Sequence, residues 1–328
     1  MTQFGAGIRD QLPGVLACLD PSGVFGVVDE AVARVHGTPA ALDDAVITVE
    51  GGEFCKDIAH WSGLLDRFIK AELDRHSVIV AVGGGAVLDL AGFAAAAYLR
   101  GVRWVTLPTT LLAQVDAAHG GKTAIDHPAA KNLVGAFHAP SEVLVDPDYL
   151  GTLPERELRA GLAEVIKQAV IGRPELLERI GRDDPAQFLE PIAQVKLEIV
   201  ARDPLEQGER RLLNLGHTLG HALEQASHYR LHHGEAVALG LRAAGILAER
   251  HCGFADRAPI EAALDRCGLP SRTALAERQV LDALRHDKKR RGGTQLWVLP
   301  VALGDVRVFD DVPDTLVSAA LSEIRAVS

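Results

Sequence analysis

The stretch SVIVAVGGGAVLDLAGFAAAAYLRGVRWVTLPTT, residues 77–110, decides the fold. It opens with an uninterrupted apolar run rich in valine and isoleucine, which is typical of a strand buried on both faces. Three consecutive glycines at 83–85 then make a tight turn. The alanine-rich segment 86–101 predicts a helix, and a second apolar strand follows at 102–110. A strand, a glycine turn, a helix and a strand form a βαβ unit, so we predict an α/β fold with a parallel sheet.

The glycine turn also suggests a ligand. Gly84 and Gly85, followed by Asp89, would let a pyrophosphate approach the backbone at the N-terminus of a helix. The turn is not the GxGxxG fingerprint, because position 88 is Leu88. A tight strand-to-helix turn that binds nothing explains the three glycines nearly as well.

Further out, the chain changes character once. Residues 1–150 alternate short apolar strands, such as VFGVVDEAV at 24–32, with helices. From about residue 151 the pattern becomes mostly helical and continues to the end. We therefore predict an N-terminal α/β domain over 1–150 and a mostly α-helical domain over 151–328.

The helical part carries a cluster of histidines in LLNLGHTLGHALEQASHYRLHHGEAVALG, residues 212–240. His217 and His221 lie four residues apart on one face of a predicted helix, and His233 lies at or just before the start of the next. Glu164 is the best candidate for a third ligand. Two imidazoles, a carboxylate and an open position would make a catalytic zinc site. The alternative is that these are surface or core histidines, since the spacing lacks the glutamate of HExxH.

Composition excludes several classes of function. The net charge of −10 leaves no basic stripe that could neutralise nucleic-acid phosphates. Four scattered cysteines without a CxxC spacing predict reduced thiols in a cytoplasmic protein. We expect neither a signal peptide nor a membrane span, because no apolar run reaches about 18 residues.

Two further regions carry candidate cations. Residues 105–140 show little periodicity and include Lys122 and Lys131 among apolar neighbours, which suits a phosphate in a cleft, although a solvated loop is the alternative. Lys196 and Arg210 precede the histidines. Near the end, residues 284–308 predict a basic turn followed by a short hairpin.

Eight motifs occur in one order along the chain: GGGAVLDLAGFAAAAYLRG, LPTTLLAQVD, GGKT, AKNLVGAF, TLPERE, GLAEVIK, LNLGHTLGHA and HHGEAV. In this order they resemble the 3-dehydroquinate synthase family and the wider sugar phosphate cyclases. The resemblance implies an N-terminal Rossmann-like NAD-binding domain, a C-terminal helical metal-binding domain and an active site in the cleft. It also implies a homodimer and a place in the shikimate pathway of aromatic amino acid biosynthesis.

The resemblance assigns roles residue by residue. The implied metal is zinc, with cobalt as the alternative, and its ligands are Glu164, His217 and His233. The implied NAD contacts are Asp29, Glu53, Lys56, Gly84, Gly85, Asp89, Thr109, Thr110, Leu112, Lys122, Lys131, Thr152, Leu153 and Glu157. The implied substrate contacts are Asp116, Lys122, Lys131, Asn132, Lys167, Lys196, Arg210, Asn214, His221 and Lys288. Arg100 matches an arginine that the family lends to the neighbouring subunit's phosphate pocket.

The implied substrate is 3-deoxy-D-arabino-heptulosonate 7-phosphate. One of its hydroxyls is oxidised transiently, phosphate is eliminated with the phosphate itself as base, and the ketone is reduced again. The ring then opens and closes as a carbocycle, so that NAD is regenerated and the enzyme is a carbon–oxygen lyase. Lys196 and Arg210 would grip the substrate carboxylate, which cyclases of sedoheptulose 7-phosphate do not need.

The chain departs from the family pattern at Ala31, Ala124, Asp126 and Pro204. These departures fit a specialised paralogue such as an aminodehydroquinate synthase, which shares the carboxylate clamp. The motifs leave two more classes of protein open. One is a metal-dependent oxidoreductase related to glycerol dehydrogenase, and the second is a non-catalytic protein that kept the fold.

Overall fold

The computed structural model describes residues 1–42, 45–285 and 295–326. The chain divides into two compact units, residues 1–154 and 155–328. Strands β1–β10 span Thr2–Phe4, Val24–Asp29, Val46–Val49, Val78–Gly83, Arg103–Pro108, Lys122–His127, Ala130–Phe137, Glu142–Val145, Trp297–Ala302 and Asp305–Phe309. Helices α1–α11 span Leu12–Leu19, Glu30–His36, Ile58–Lys70, Gly85–Ala97, Glu155–Gly172, Leu189–Arg202, His217–Ala226, His233–Cys252, Arg257–Arg266, Glu277–Arg285 and Asp314–Glu323.

The first unit is built on a six-stranded parallel sheet in the order β1-β8-β5-β4-β2-β3. Every residue of β4 is buried, as the continuous apolar run predicted. The predicted βαβ unit is present as β4, α4 and β5. After β3 the chain returns to the other side of β2, so the winding reverses between β2 and β4. In doubly wound sheets the crevice at the carboxyl ends of such neighbouring strands is where ligands bind.

The segment without clear periodicity is an ordered hairpin. After β5 come a π-helical turn, Ala113–Ala117, and the antiparallel pair β6–β7, in which Lys122 faces Phe137 and Ile125 faces Val134. Residues 132–135 of β7 are all exposed. A strand without a buried face has no reason to alternate apolar and polar residues, so its sequence resembles a loop.

The second unit is mostly helical and packs closely around α8. An added Cβ at Gly240 of α8 would lie 2.9 Å from the carbonyl carbon of Gly216 and closer still to its oxygen, which shows how near α7 and α8 approach. Gly216 has φ +76° and starts α7 as its N-terminal cap. The predicted hairpin near the end is present as β9–β10. None of the helices in the described ranges is long and apolar enough to cross a membrane.

Candidate functional site

Helices α5, α7 and α8 bring Glu164, His217 and His233 together. The Nε2 atom of His217 lies 3.4 Å from Oε1 of Glu164, and Nε2 of His233 lies 3.2 Å from the same oxygen. One ligand atom from each residue lies within 4.8 Å of the other two. These are the three residues that the sequence proposed for a metal. Two ring nitrogens and one carboxylate oxygen that converge in this way have the composition and spacing of a zinc or cobalt site.

The outer nitrogens of both imidazoles have partners. Nδ1 of His217 lies 3.1 Å from the carbonyl oxygen of Leu215, and Nδ1 of His233 lies 3.2 Å from Oε2 of Glu224. When each Nδ1 carries the proton and donates it to its oxygen, both Nε2 lone pairs point toward Glu164. Metal-binding histidines in proteins are usually held by such a carbonyl or carboxylate. Glu224 was missed in the sequence, although it follows His221 by three residues on the same helical face.

The remaining carboxylate oxygen of Glu164 faces a lysine. Nζ of Lys167, one turn along α5, lies 2.5 Å from Oε2 of Glu164, and both side chains are buried. Burial opposes the ionisation of Glu164, but the charges of Lys167 and His217 outweigh it and hold the pKa of Glu164 well below its usual value. The carboxylate is therefore charged at neutral pH, as a metal ligand must be.

A second group of possible ligands shares one histidine with the first. His221, Glu224 and His233 also bring ligand atoms within 4.8 Å of one another. In that group the facing atoms of Glu224 and His233 are already joined by their hydrogen bond. In the first group Nε2 of His233 is hydrogen-bonded to Glu164 at the same distance, so a metal in either group would replace one hydrogen bond of His233, and the first group is the one that the sequence proposed. His221 borders it, with its ring 5.3 Å from that of His217.

The start of α8 is tied to α5, which fixes His233. His233 is the first residue of α8, and Glu235 closes a capping box by accepting a hydrogen bond from the backbone N–H of His232 at 3.0 Å. Arg156 of α5 donates two hydrogen bonds to Glu235, at 2.8 and 2.9 Å. Glu157, a predicted NAD contact, lies 3.2 Å from Nδ1 of His232. This network sets His233 against α5, the helix that carries the predicted carboxylate ligand.

Metal binding should release a proton. Burial lowers the pKa of His233, but its hydrogen bonds to Glu164 and Glu224 more than compensate and raise that pKa to about 10, whereas burial lowers the pKa of His217. At pH 8 the metal-free His233 ring is therefore protonated, and zinc must displace its proton. We expect about one proton released per zinc and an apparent affinity that falls about tenfold per pH unit as pH decreases from 9 to 7. Calorimetry at pH 8 in buffers of different ionisation enthalpy measures this, and heats independent of the buffer would contradict it.

In the first unit, several predicted NAD contacts lie at the carboxyl end of the sheet. Asp29 ends β2 and accepts hydrogen bonds from the backbone N–H groups of Ala31 and Val32, so it caps α2. An added Cβ at Gly51 would lie 2.8 Å from Cγ of Asp29, and one at Gly84 would lie 3.0 Å from Cγ2 of Thr110. Side chains larger than glycine would therefore crowd this end of β2 and β4. Ala31, a departure from the family pattern, acts here through its backbone.

A buried lysine, Lys56, forms hydrogen bonds with two other predicted residues. Nζ of Lys56 lies 2.7 Å from Oδ2 of Asp89 and 2.5 Å from Oδ1 of Asn132. Burial lowers the pKa of Lys56, but the charges of Asp89 and Glu53 outweigh it and raise that pKa. Lys56 was predicted to contact NAD and Asn132 to contact the substrate, so their hydrogen bond links the two predicted sets.

The departure Asp126 takes part in the same cluster. Its backbone N–H donates to the carbonyl oxygen of Lys56 at 2.6 Å, and its side chain accepts from the backbone N–H of Asn132 at 2.7 Å. Burial raises the pKa of Asp126. Lys131, which directly precedes Asn132 in β7, lies 3.3 Å from Glu53. Asp126 therefore holds the β6–β7 turn in the shape that delivers Asn132 to Lys56.

The rest of the predicted residues are placed as follows. Thr109 is buried after β5, while Thr110, Leu112 and Asp116 follow it and are partly buried. Thr152 lies 2.7 Å from Nε2 of His36, with Leu153 beside it. Lys122 is exposed at the start of β6, and Arg100 is exposed with φ +67°. Lys288 lies outside the described residues, as does most of the predicted basic turn.

The two predicted carboxylate-binding cations are buried on adjoining elements of the second unit. Lys196 lies on α6, and Arg210 lies on a 3₁₀ turn, Glu209–Asn214, that packs against α6. The Arg210 guanidinium donates to the carbonyl oxygen of Pro204 at 2.6 Å, and its backbone N–H donates to Asp203. Asn214 donates to Glu206 at 3.0 Å. Pro204, the last departure, thus holds Arg210 through its carbonyl group.

The fold and the site define a class, in which a parallel-sheet α/β unit precedes a helical unit that carries a two-histidine, one-carboxylate group. Residues 46–160 match the family described as 3-dehydroquinate synthase N-terminal, and residues 161–290 match 3-dehydroquinate synthase C-terminal. A 3-dehydroquinate synthase from Symbiobacterium thermophilum is 44% identical over 99% of this chain and 95% of its own length. The chain therefore belongs to the 3-dehydroquinate synthase family, which confirms the resemblance seen in the motifs.

Solved structures agree with this fold. The 2-epi-5-epi-valiolone synthase ValA from Streptomyces hygroscopicus, with NAD+ and Zn2+ bound, has a TM-score of 0.89 at 26% identity, covering 99% of this chain and 96% of its own. A 2-deoxy-scyllo-inosose synthase complexed with carbaglucose-6-phosphate, NAD+ and Co2+ has a TM-score of 0.88 at 25% identity, covering 98% and 95%. The predicted α/β fold with a helical C-terminal part is confirmed.

Proposed function

We propose that this chain is a phosphate-eliminating cyclase that converts 3-deoxy-D-arabino-heptulosonate 7-phosphate to 3-dehydroquinate. The observation that carries the proposal is the convergence of Glu164, His217 and His233 in a member of this family. Its relatives named 3-dehydroquinate synthase match nearly the whole chain. The similar structures that bind NAD+ with Zn2+ or Co2+ support the same cofactors here. We assign NAD to the first unit and the metal to the second.

The residues of this chain fit both cofactors. A dication at the three ligands would lower the pKa of a bound substrate hydroxyl. NAD would accept a hydride from the carbon that carries this hydroxyl and return it later in the same turnover. Lys167 holds the second oxygen of Glu164 and so leaves one oxygen for the metal. The tight turn at Gly84 and Gly85, with Asp29 at the end of the neighbouring strand, fits a dinucleotide at the point where the winding reverses.

Lys196 and Arg210 support a substrate that carries a carboxylate. Both cations are buried on adjoining elements, and the Arg210 guanidinium donates to the neutral carbonyl of Pro204. Two buried cations on adjoining elements are the groups that would bind a substrate carboxylate, and a guanidinium binds carboxylates especially well.

The Arg210→Ala variant should bind the substrate more weakly. Losing a buried charge-assisted hydrogen bond costs roughly 1.5–3 kcal/mol, which is about 10- to 150-fold in affinity. We expect this loss mainly in the Michaelis constant. Arg202→Ala is the matched control, because Arg202 is exposed and pairs with Glu209 on the surface. Equal Michaelis constants for wild type and Arg210→Ala would show that no carboxylate binds there.

We also propose a homodimer in which Arg100 serves the neighbouring subunit. Arg100 is exposed, and β7 presents Leu133, Val134 and Phe137 at the surface of the same unit. Exposed apolar side chains on a strand favour association with another chain. The proposed cytoplasmic location rests on the four free cysteines, and the proposed pathway rests on the relatives' names.

Subunit mixing tests the role of Arg100. Arg100→Ala and His217→Ala should each be inactive alone, for different reasons. A mixed dimer restores one intact site, because the His217→Ala chain supplies its arginine to the partner's metal site. We therefore expect up to about half of the active sites in mixed dimers to recover after the two variants are unfolded and refolded together. Activity that stays at the level of the separate variants would show that Arg100 acts within its own chain or not at all.

The decisive experiment offers three substrates to the zinc-loaded protein with NAD: the heptulosonate phosphate, its amino analogue and sedoheptulose 7-phosphate. We expect the first to release phosphate without accumulation of NADH and to give 3-dehydroquinate by mass. Preference for the amino analogue would instead identify an aminodehydroquinate synthase, and preference for the heptulose would identify a cyclase of neutral sugars. Net accumulation of NADH would identify an oxidoreductase, and no turnover or metal binding would identify a binding protein.

A further inference from the structure

We propose that Glu224 is a positioning residue for the metal centre, which fixes the ring orientation and the tautomer of His233. This inference rests on the proposed function, because it concerns the metal that Glu164, His217 and His233 would hold. The carboxylate of Glu224 lies 3.2 Å from Nδ1 of His233, on the side of the ring opposite Nε2.

The tautomer follows from the two sides of the ring. A neutral imidazole carries one proton, and the metal needs the lone pair of the other nitrogen. A carboxylate only accepts hydrogen bonds, so Nδ1 of His233 must donate to Glu224. Nε2 lies 3.2 Å from Oε1 of Glu164 and is hydrogen-bonded to it without metal, so when a metal replaces that hydrogen bond the lone pair lies on Nε2. Glu224 thus selects the tautomer that can bind the metal.

The two histidine ligands are held differently. Nδ1 of His217 faces the backbone carbonyl of Leu215, which no substitution removes. His233 depends on a side chain, and that side chain brings a negative charge. A carboxylate behind a ligating histidine strengthens the metal–nitrogen bond and locks the ring against rotation. Removing Glu224 should therefore affect the metal through His233 while His217 stays in place.

The burial of Glu224 supports this role. Its side chain is buried on α7, a helix that packs directly against α8. A carboxylate in such a position is costly unless it is hydrogen-bonded or paired, whereas an apolar side chain of similar size would fill the same space. The carboxylate therefore serves better as a partner for His233 than as packing between the helices.

The test compares zinc affinity in the full chain, measured by competition with a chelator, for wild type, Glu224→Gln and Glu178→Gln. The first substitution keeps the size of the side chain and removes its charge, and Glu178 is an exposed carboxylate of the same unit. We expect one zinc per chain in each, with affinity about 10- to 100-fold weaker in Glu224→Gln alone. The visible spectrum of the Co2+ form should also change in Glu224→Gln and not in the control.

Several outcomes would overturn the inference. A Glu224→Gln variant that unfolds more easily without metal, yet keeps the wild-type zinc affinity and Co2+ spectrum, would show that Glu224 serves packing only. A second zinc in the wild type that disappears in the variant would make Glu224 a ligand of the group with His221. In both cases the proposed function stands. Wild-type protein that binds no zinc overturns both proposals.

One measurement does not depend on any variant. Nitrogen-15 spectra of the histidine rings in the zinc-loaded wild type distinguish a protonated Nδ1 from a metal-bound one. We expect the ring of His233 to be protonated at Nδ1 and metal-bound at Nε2. Metal at Nδ1, or a proton at Nε2, would overturn the inference.

Discussion

The His217→Ala variant will lose both zinc and activity. Removing one of three ligands leaves only Glu164 and His233 to hold the metal, and the alanine side chain supplies no nitrogen in place of the lost ring. Metal assistance contributes several kcal/mol to such chemistry, so we expect phosphate release to fall at least about 1,000-fold, which corresponds to about 4 kcal/mol. Zinc content after dialysis and phosphate release with saturating heptulosonate phosphate measure both effects.

His221→Ala is the matched control, since His221 lies one turn further along the same helix and its ring borders that of His217. It should keep zinc at full stoichiometry while its activity falls, because its predicted contact is with the substrate. Together the two variants separate loss of the metal from loss of a substrate contact. Full zinc content and full phosphate release in His217→Ala would refute the metal assignment.

The sequence predicted well those elements whose surroundings determine the local order of apolar and polar residues. The valine-rich run of β4 is buried on both faces, and a continuous apolar run is the signature of such a strand. His217 and His221 share a helical face because a helix repeats every 3.6 residues, and Gly234 marks the place where the next helix starts. Local periodicity was sufficient in each case.

Some features depend instead on contacts between distant segments. The hairpin β6–β7 has an exposed strand, so its residues carry no period of two. The hydrogen bond from Lys56 to Asn132 joins positions 76 residues apart, and the sequence around neither residue indicates it. Glu224 is different, because its spacing from His217 and His221 was visible. The spacing could not show that Glu224 lies near His233, because that proximity results from the packing of α7 on α8.

The Gly234→Ala variant should be strongly destabilised and should bind zinc poorly. An added Cβ would lie 2.5 Å from the carbonyl carbon of Ala160 and closer still to its oxygen, within α5. Helix propensity alone would favour alanine by about 1 kcal/mol, but backbone atoms cannot move aside as a flexible side chain can. We expect a net loss of about 3 kcal/mol, or roughly 4 °C in melting temperature for a chain of 328 residues. The start of α8 must then shift from α5, which moves His233 away from Glu164.

Gly63→Ala provides the opposite control, because Gly63 is an exposed position of α3 where an added Cβ meets no atom within 4 Å. There the same substitution should stabilise the protein by about 0.5–1 kcal/mol and leave zinc binding unchanged. Thermal unfolding and chelator competition are measured on both variants. A Gly234→Ala variant that matches Gly63→Ala in both measurements would show that the close contact between α5 and α8 is not what holds His233 against Glu164.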